Sequence, residues 1–253
     1  MSLATRLLRG AAFLLGDLFG MRFHPIDKVL KMHNGIDIKT YGKNLPIYSL
    51  EHGVVDGVGY DKSAGNYVRI MYRRIGIILY LFHLLSYNVK KGDYVSSSRI
   101  VGYVGTTGAS TGVHLHIGVK RIGSTKFIDP MSINYISPED ERLEEDGILG
   151  PKTMYKLQLI YNQFPDCIIS GQRNIDLLLK FPSIFKKGLK GSPWVKTIQK
   201  DLGCTADGLW GPETTEYIQR ATNTPVTRKL LKANDPSIKE IQRRINNKER
   251  LWG

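Results

Sequence analysis

Cysteine is scarce in this chain: there are two, Cys167 and Cys204, and neither stands in a Cys-x-x-Cys or Cys-x-x-His spacing. That excludes a cysteine-built metal knuckle and leaves them to be read as free, buried thiols, with a single disulfide between them an open alternative. Long apolar runs are also lacking. The best candidate, Ile75 to Leu85, is interrupted by His83 and falls short of the ~20 residues that a membrane-spanning helix needs, so no transmembrane segment is expected. Acidic residues are few beside 36 Lys and Arg, and the net charge is +13. Such a field favours polyanions, whether nucleic acid, anionic membrane or an acidic wall polymer. No recognisable DNA- or RNA-binding motif or regular basic helix accompanies the charge, so a nucleic-acid partner is not expected.

What the sequence does have is enough apolar residue, 42%, to build cores, and a length that suits two modest domains better than one. The basicity is uneven: residues 1–135 carry 17 Lys and Arg against 8 Asp and Glu, and residues 136–253 carry 19 against 15. From about Gly35 to Asp129 the chain reads as short β-branched and aromatic runs, among them IDIKTY, NYVRIMYR, GIILYLF and HLHIGVK, with glycines at their boundaries. After Pro130 an acidic stretch gives way to segments such as TMYKLQLIYNQF and WVKTIQKDLG, apolar every three or four residues. The expected organisation is an N-terminal helix or extension over 1–18, a β-rich domain over 19–135, a linker over 136–145 and a helical domain over 146–253. At the N-terminus a basic start precedes an apolar stretch, but Asp17 interrupts it and no small-x-small cleavage site follows. An amphipathic helix packed on the β-rich domain is the preferred reading over an export signal.

Two motifs carry chemistry: His33-Asn34-Gly35-Ile36-Asp37 and His114-Leu115-His116. On a strand, positions two apart share a face, so His114 and His116 can converge on one site while Leu115 faces the core. Two histidines and a carboxylate give three protein ligands and leave a fourth tetrahedral position for water, as in catalytic zinc sites. An ion so held would lower the pKa of that water and polarise a substrate carbonyl.

The motifs have companions. Phe19-Gly20-Met21-Arg22-Phe23-His24-Pro25 precedes the first, Tyr80-Leu81-Phe82-His83-Leu84 and Val89-Lys90-Lys91-Gly92-Asp93-Tyr94-Val95 lie between, and Val101 to Gly112 leads into His114. In this order and spacing they resemble the lysostaphin/LytM-type zinc metalloendopeptidases of peptidoglycan, from about Phe19 to Pro130. The resemblance implies one Zn2+ held by His33, Asp37 and His116, with His83 and His114 as catalytic non-ligand histidines that handle protons and stabilise the oxyanion. It implies an antiparallel β-rich catalytic domain that cleaves a peptide bond in the stem or cross-bridge of the bacterial wall. Where some relatives place a transition-state tyrosine, this chain has His24, an additional active-site candidate. Phe82 stands where the family commonly has a small residue, which is expected to narrow the groove.

The second half contains an echo: Asp146-Gly147-Ile148-Leu149-Gly150-Pro151-Lys152-Thr153 recurs 61 residues later as Asp207-Gly208-Leu209-Trp210-Gly211-Pro212-Glu213-Thr214. With Leu189 to Gln199 it resembles the helical peptidoglycan-binding module often joined to wall hydrolases. The first copy lacks the Leu-x-x-Gly-Ser half, and Ile238 to Ile245 echoes the Val-x-x-Ile-Gln helix. Trp194 and Trp210 are candidates for stacking on sugar rings, with burial in the core as the structural alternative. The whole reads as an α+β two-domain chain, a β-rich catalytic domain followed by a small all-α wall-binding domain, with peptidoglycan and anionic wall polymers as partners. A bacteriophage lysin, acting at the wall after release from the host cytoplasm or carried on a virion, fits this arrangement. The alternative is a catalytically inactive relative that binds the wall or activates another hydrolase, although all five site positions are intact.

Overall fold

The computed structural model describes residues 2–23 and 28–252. Two compact units divide the chain, Met1–Pro138 and Glu139–Gly253.

In the first unit the stretch 1–18, expected as a helix or extension, is helical over Leu3–Leu7 (α1), capped by Ser2. Arg9 and Gly10 both adopt positive φ, 47° and 75°, which ends it. The chain then forms β1 (Leu14–Leu15), β2 (Gly20–Phe23), β3 (Leu30–His33), β4 (Ile36–Lys39), β5 (Pro46–Tyr48), β6 (Gly53–Asp61), β7 (Gly65–Tyr72) and β8 (Ile77–Leu84). These are followed by β9 (Ser86–Tyr87), β10 (Tyr94–Val95), β11 (Ile100–Tyr103), β12 (His114–Arg121) and β13 (Phe127–Ile128). Among the described residues the main sheet has eight strands in the order β1-β4-β12-β8-β7-β6-β10, with β13 on β12, and every pairing in it is antiparallel. Strands β5, β11 and β9 make a second small sheet, and β2 and β3 a separate ribbon.

Alternation sets the two faces. Leu115 and Ile117 of β12, Leu79 and Leu81 of β8, Val68 and Ile70 of β7 and Ile38 of β4 are fully buried in one apolar cluster that also takes in Leu3, Ala4 and Leu7 of α1. Their neighbours, His114, His116, Phe82 and Tyr67, therefore share the open face. A buried ion pair, Arg74 with Glu51, both 1% exposed, anchors the end of the unit: Arg74 Nη2 also donates to Ile136 O at 2.8 Å, and Tyr135 Oη donates to Glu51 Oε2 at 3.2 Å.

The second unit contains α2 (Pro151–Ile160), β14 (Ile169–Gln172), α3 (Ile175–Lys180), β15 (Phe185–Lys187), α4 (Pro193–Leu202), α5 (Pro212–Ala221) and α6 (Pro236–Asn247). Proline opens α2, α4, α5 and α6, where its missing N–H costs nothing. The unit is not all-α: β14 and β15 pair in parallel, Ile169 opposite Phe185. Both of those side chains are buried in the helical core, which draws two otherwise polar segments into extended contact. Trp194 and Trp210 are corrected as sugar-stacking candidates. They are 3% and 1% exposed and lie against each other with ring centroids 6.2 Å apart, so neither offers a face to a ligand. Among the described residues Cys167 and Cys204 are thiols outside any disulfide, the first buried and the second half-buried.

Candidate metal centre

Register assembles the centre. His116 on β12 stands directly opposite Asp37 on β4 and opposite Phe82 on β8. His33 closes β3 four residues before Asp37, and the Asn34-Gly35 turn folds it onto the same site. A Cβ at Gly35 would lie 2.5 Å from His116 Nε2 and would also meet Ile117 O, so only glycine lets this turn approach β12 so closely. His33 Nε2, Asp37 Oδ1 and His116 Nδ1 then converge, with separations of 3.0 Å between the two nitrogens, 3.3 Å from His33 to Asp37 and 2.9 Å from His116 to Asp37. Tetrahedral zinc with bonds of about 2.0–2.1 Å sets its ligands about 3.3 Å apart, close to this spacing. Among the described residues these three form the cluster able to hold a metal ion.

The main chain decides which ring nitrogens face the site. His33 Nδ1 lies 2.7 Å from Leu18 O, His83 Nδ1 2.9 Å from Thr107 O, and His114 Nδ1 2.8 Å from Gly112 O. A carbonyl only accepts, so each Nδ1 carries a proton and each neutral ring keeps its lone pair on Nε2. His33 thus aims a bare nitrogen at His116 Nδ1, an arrangement that calls for a proton or a cation between them, and the nearby Asp37 oxygen suits a cation. The donor set fits a divalent metal.

Burial raises the Asp37 carboxyl, but the adjoining His116 and His33 imidazoles outweigh it and hold the group well below the usual carboxylate range. Burial also lowers His116, against the pull of Asp37, and takes His83 down to about 4.

His83 reaches the site through an irregularity. In an unbroken strand Phe82 and His83 would point to opposite faces, yet both line the groove. His83 has φ of 60°, the register between β7 and β8 slips beside it, and its N–H donates to Ala64 O at 2.8 Å. This bulge turns the imidazole toward His114, with ring centroids 4.8 Å apart. His114 Nε2 in turn lies 3.6 Å from Asp37 Oδ1. The five positions singled out in the sequence are therefore together at one site, whereas His24 lies outside the described residues.

Around them runs a groove of about 1140 Å³, walled by Tyr67, Tyr80, Phe82 and Phe127 on one side. Phe82 packs 5.4 Å from the His116 ring, centroid to centroid. Sequence reasoning gave no role to Asp17, Leu18 or Arg22, which stand immediately beside the three candidate donors. Arg22 was visible in its Phe-Gly-x-Arg setting, but a carbonyl such as that of Leu18 leaves no mark in a sequence.

Residues 31–130 match the family model described as peptidase family M23. Over 134 residues it is 32% identical to the DD-carboxypeptidase/endopeptidase Mpg of Neisseria meningitidis serogroup B, covering 53% of this chain and 30% of that protein. Over 96 residues it is 38% identical to the peptidoglycan DD-endopeptidase ShyC of Vibrio cholerae, covering 38% of this chain and 22% of that one. The crystallised catalytic domain of lysostaphin from Staphylococcus simulans aligns at 29% identity with a TM-score of 0.43, covering 47% of this chain and 90% of that one. The chain spans less than a third of the length of the two curated relatives. His33, Asp37, His83, His114 and His116 all fall inside the residues matched to the M23 model, while Leu18 and Arg22 precede them.

Proposed function

We propose that the chain is a zinc-dependent peptidoglycan endopeptidase, cleaving a peptide bond in the stem or cross-bridge of the bacterial wall. The observation that carries this reading is the convergence of His33 Nε2, Asp37 Oδ1 and His116 Nδ1 in an open groove, beside two further imidazoles with bare Nε2 atoms. The M23 match and the printed names of the relatives support the substrate class.

In this reading His33, Asp37 and His116 hold the ion, which when bound supplies Lewis-acid polarisation of the scissile carbonyl and makes water acidic enough to attack at neutral pH. His83 is neutral at pH 7, so its Nε2 is free to take a proton as water adds and to return it to the departing amine. His114, next to His83 and within 3.6 Å of Asp37, presents a bare Nε2 of its own, which shares the proton transfer and, once protonated, donates to the developing oxyanion. The aromatic wall from Tyr67 to Phe127 excludes water from one flank of the peptide. The second unit holds the enzyme on the wall. This part of the proposal is supported by its repeated Asp-Gly motif, and it no longer draws on Trp194 or Trp210.

Turbidity loss of purified walls, with mass spectrometry of the released fragments, tests the proposal. Wild type is expected to release peptide-cleaved fragments and to stop when zinc is chelated, and His116→Ala is expected to release none. Lysis that survives complete zinc removal, or fragments cut only in the glycan, would overturn it.

A further inference from the structure

Asp37 has two carboxylate oxygens, and they face different partners. Oδ1 points at His33, His116 and His114. Oδ2 lies 3.8 Å from Arg22 Nη2, and Arg22 Nη1 is in turn 3.1 Å from Asp17 Oδ2. The Arg22 side chain is 21% exposed, its Nε and Nη1 are shielded from solvent and make no hydrogen bond among the described residues, and its guanidinium lies between the carboxylates of Asp17 and Asp37. Strand geometry accounts for the placement. In the β2–β3 ribbon Gly20 stands opposite His33, and Arg22, two residues on, shares the face of Gly20.

The same stretch clasps the metal strand through its main chain. Gly16 N donates to Asp37 O at 2.7 Å, Asp37 N donates to Asp17 O at 2.9 Å, and Leu18 O receives His33 Nδ1. A Cβ at Gly16 would lie 3.1 Å from Asp37 O and 3.3 Å from Asp37 Cβ, tighter than ordinary contact. Residues 16–18 and 22 thus flank two of the three donor residues, with Asp17 and Arg22 forming part of the groove wall beside them.

We propose that Arg22, steadied by Asp17, is a positioning residue of the metal centre: it holds the outer oxygen of Asp37 so that Oδ1 alone is offered to the ion and the fourth position stays open. This rests on the zinc reading above. A carboxylate free to rotate can bind through both oxygens and occupy the place that substrate or water needs, whereas a guanidinium facing one oxygen opposes that rotation. Outer partners of this kind are worth about 10–100-fold in metal affinity.

The test uses the full chain and reads metal rather than lysis. Zinc affinity is measured by competition with a chromophoric chelator, and coordination by the visible absorption of the cobalt(II)-substituted protein, which weakens when four-coordinate geometry is lost. Arg22→Met is expected to lower zinc affinity about 10–100-fold and to weaken the cobalt bands. Asp17→Asn should produce a smaller change of the same kind, and Arg22→Lys, which keeps the charge but not the planar fork, should recover part of the loss. Thermal melting of each metal-free variant identifies any that fail to fold, and Asp17→Asn with Arg22→Lys then decide the matter. A folded Arg22→Met, or folded Asp17→Asn and Arg22→Lys together, with zinc affinity within about twofold of wild type and unchanged cobalt bands, would overturn the assignment. A wild type that binds no zinc would overturn the metal reading itself, and this inference with it.

Discussion

Gln242, near the end of the chain, grips Gly147, near the start of the second unit: Gly147 N donates to Gln242 Oε1 at 2.9 Å, while Gln242 Nε2 donates to Asp146 Oδ1 at 2.8 Å and to Ile148 O at 3.2 Å. The same bracket recurs three times. Gln158 holds Asp166-Cys167-Ile168, Gln199 holds Asp207-Gly208-Leu209, and Gln219 holds Thr227-Arg228-Lys229. In all four turns the middle residue has positive φ: Gly147, Cys167, Gly208 and Arg228. Gln199 belongs to Val-x-x-Ile-Gln and Gln242 to Ile-x-x-Ile-Gln, so α6 supplies to the first Asp-Gly turn what α4 supplies to the second. The half that the first copy lacks is provided from the far end of the chain.

Gln242→Ala is therefore expected to destabilise the second unit by about 1–3 kcal/mol, because it strands buried donors and acceptors at both ends of the unit. Gln199→Ala should cost a similar amount. Deleting α6 should unfold the unit, read as loss of its transition in denaturant titration.

Gly35→Ala tests the close approach beside the ligands. The added methyl meets His116 Nε2 and Ile117 O, so it pushes the His33 turn away from β12. Zinc affinity should fall at least about tenfold, measured by chelator competition, with the melting temperature changing little.

Glu51→Ala removes the carboxylate from the buried Arg74 guanidinium and from Tyr135. A loss of about 3–5 kcal/mol is expected for the first unit in chemical denaturation. The double variant Glu51→Leu/Arg74→Met, which removes both charges, should recover much of that loss.

His83 should titrate near pH 4 in the metal-free protein, seen in the NMR shift of its ring carbons, because burial disfavours its charged form. The unfolded chain takes up this proton near 6.5 and the folded chain only near 4, so this group's contribution lowers folding stability as pH falls from about 6.5 to 4 and leaves it level below. His83→Gln should flatten the pH dependence in that window. A midpoint for His83 at 6.5 or above would contradict the burial argument.

Much of the first unit is legible in sequence because its strands alternate where it matters: Leu115 and Ile117 are buried while His114 and His116 face the groove, and the pattern alone places both histidines on one face. The bulge at His83 is not legible, since a histidine in left-handed conformation carries no composition signal, and a regular strand would have sent Phe82 and His83 to opposite faces. Tryptophan is equally ambiguous. Trp194 and Trp210 combine an apolar body with a flat face, and only their mutual contact decides for the core. Ile169-Ser170-Gly171-Gln172 and Phe185-Lys186-Lys187 are too short and too polar to advertise a strand, because each is held by a single buried apolar side chain, Ile169 and Phe185. The echo of α4 in α6 was visible as a repeat, but its destination, a turn some 95 residues upstream, follows from the glutamine bracket alone.

The oxygens of Leu18, Thr107 and Gly112 that set the three imidazoles belong to the main chain. Every amino acid brings the same carbonyl, so no substitution at those positions can delete one. The orientation of the site's histidines is thereby insulated from side-chain drift in the loops that hold them, and responds instead to insertions, deletions or prolines that redirect the chain.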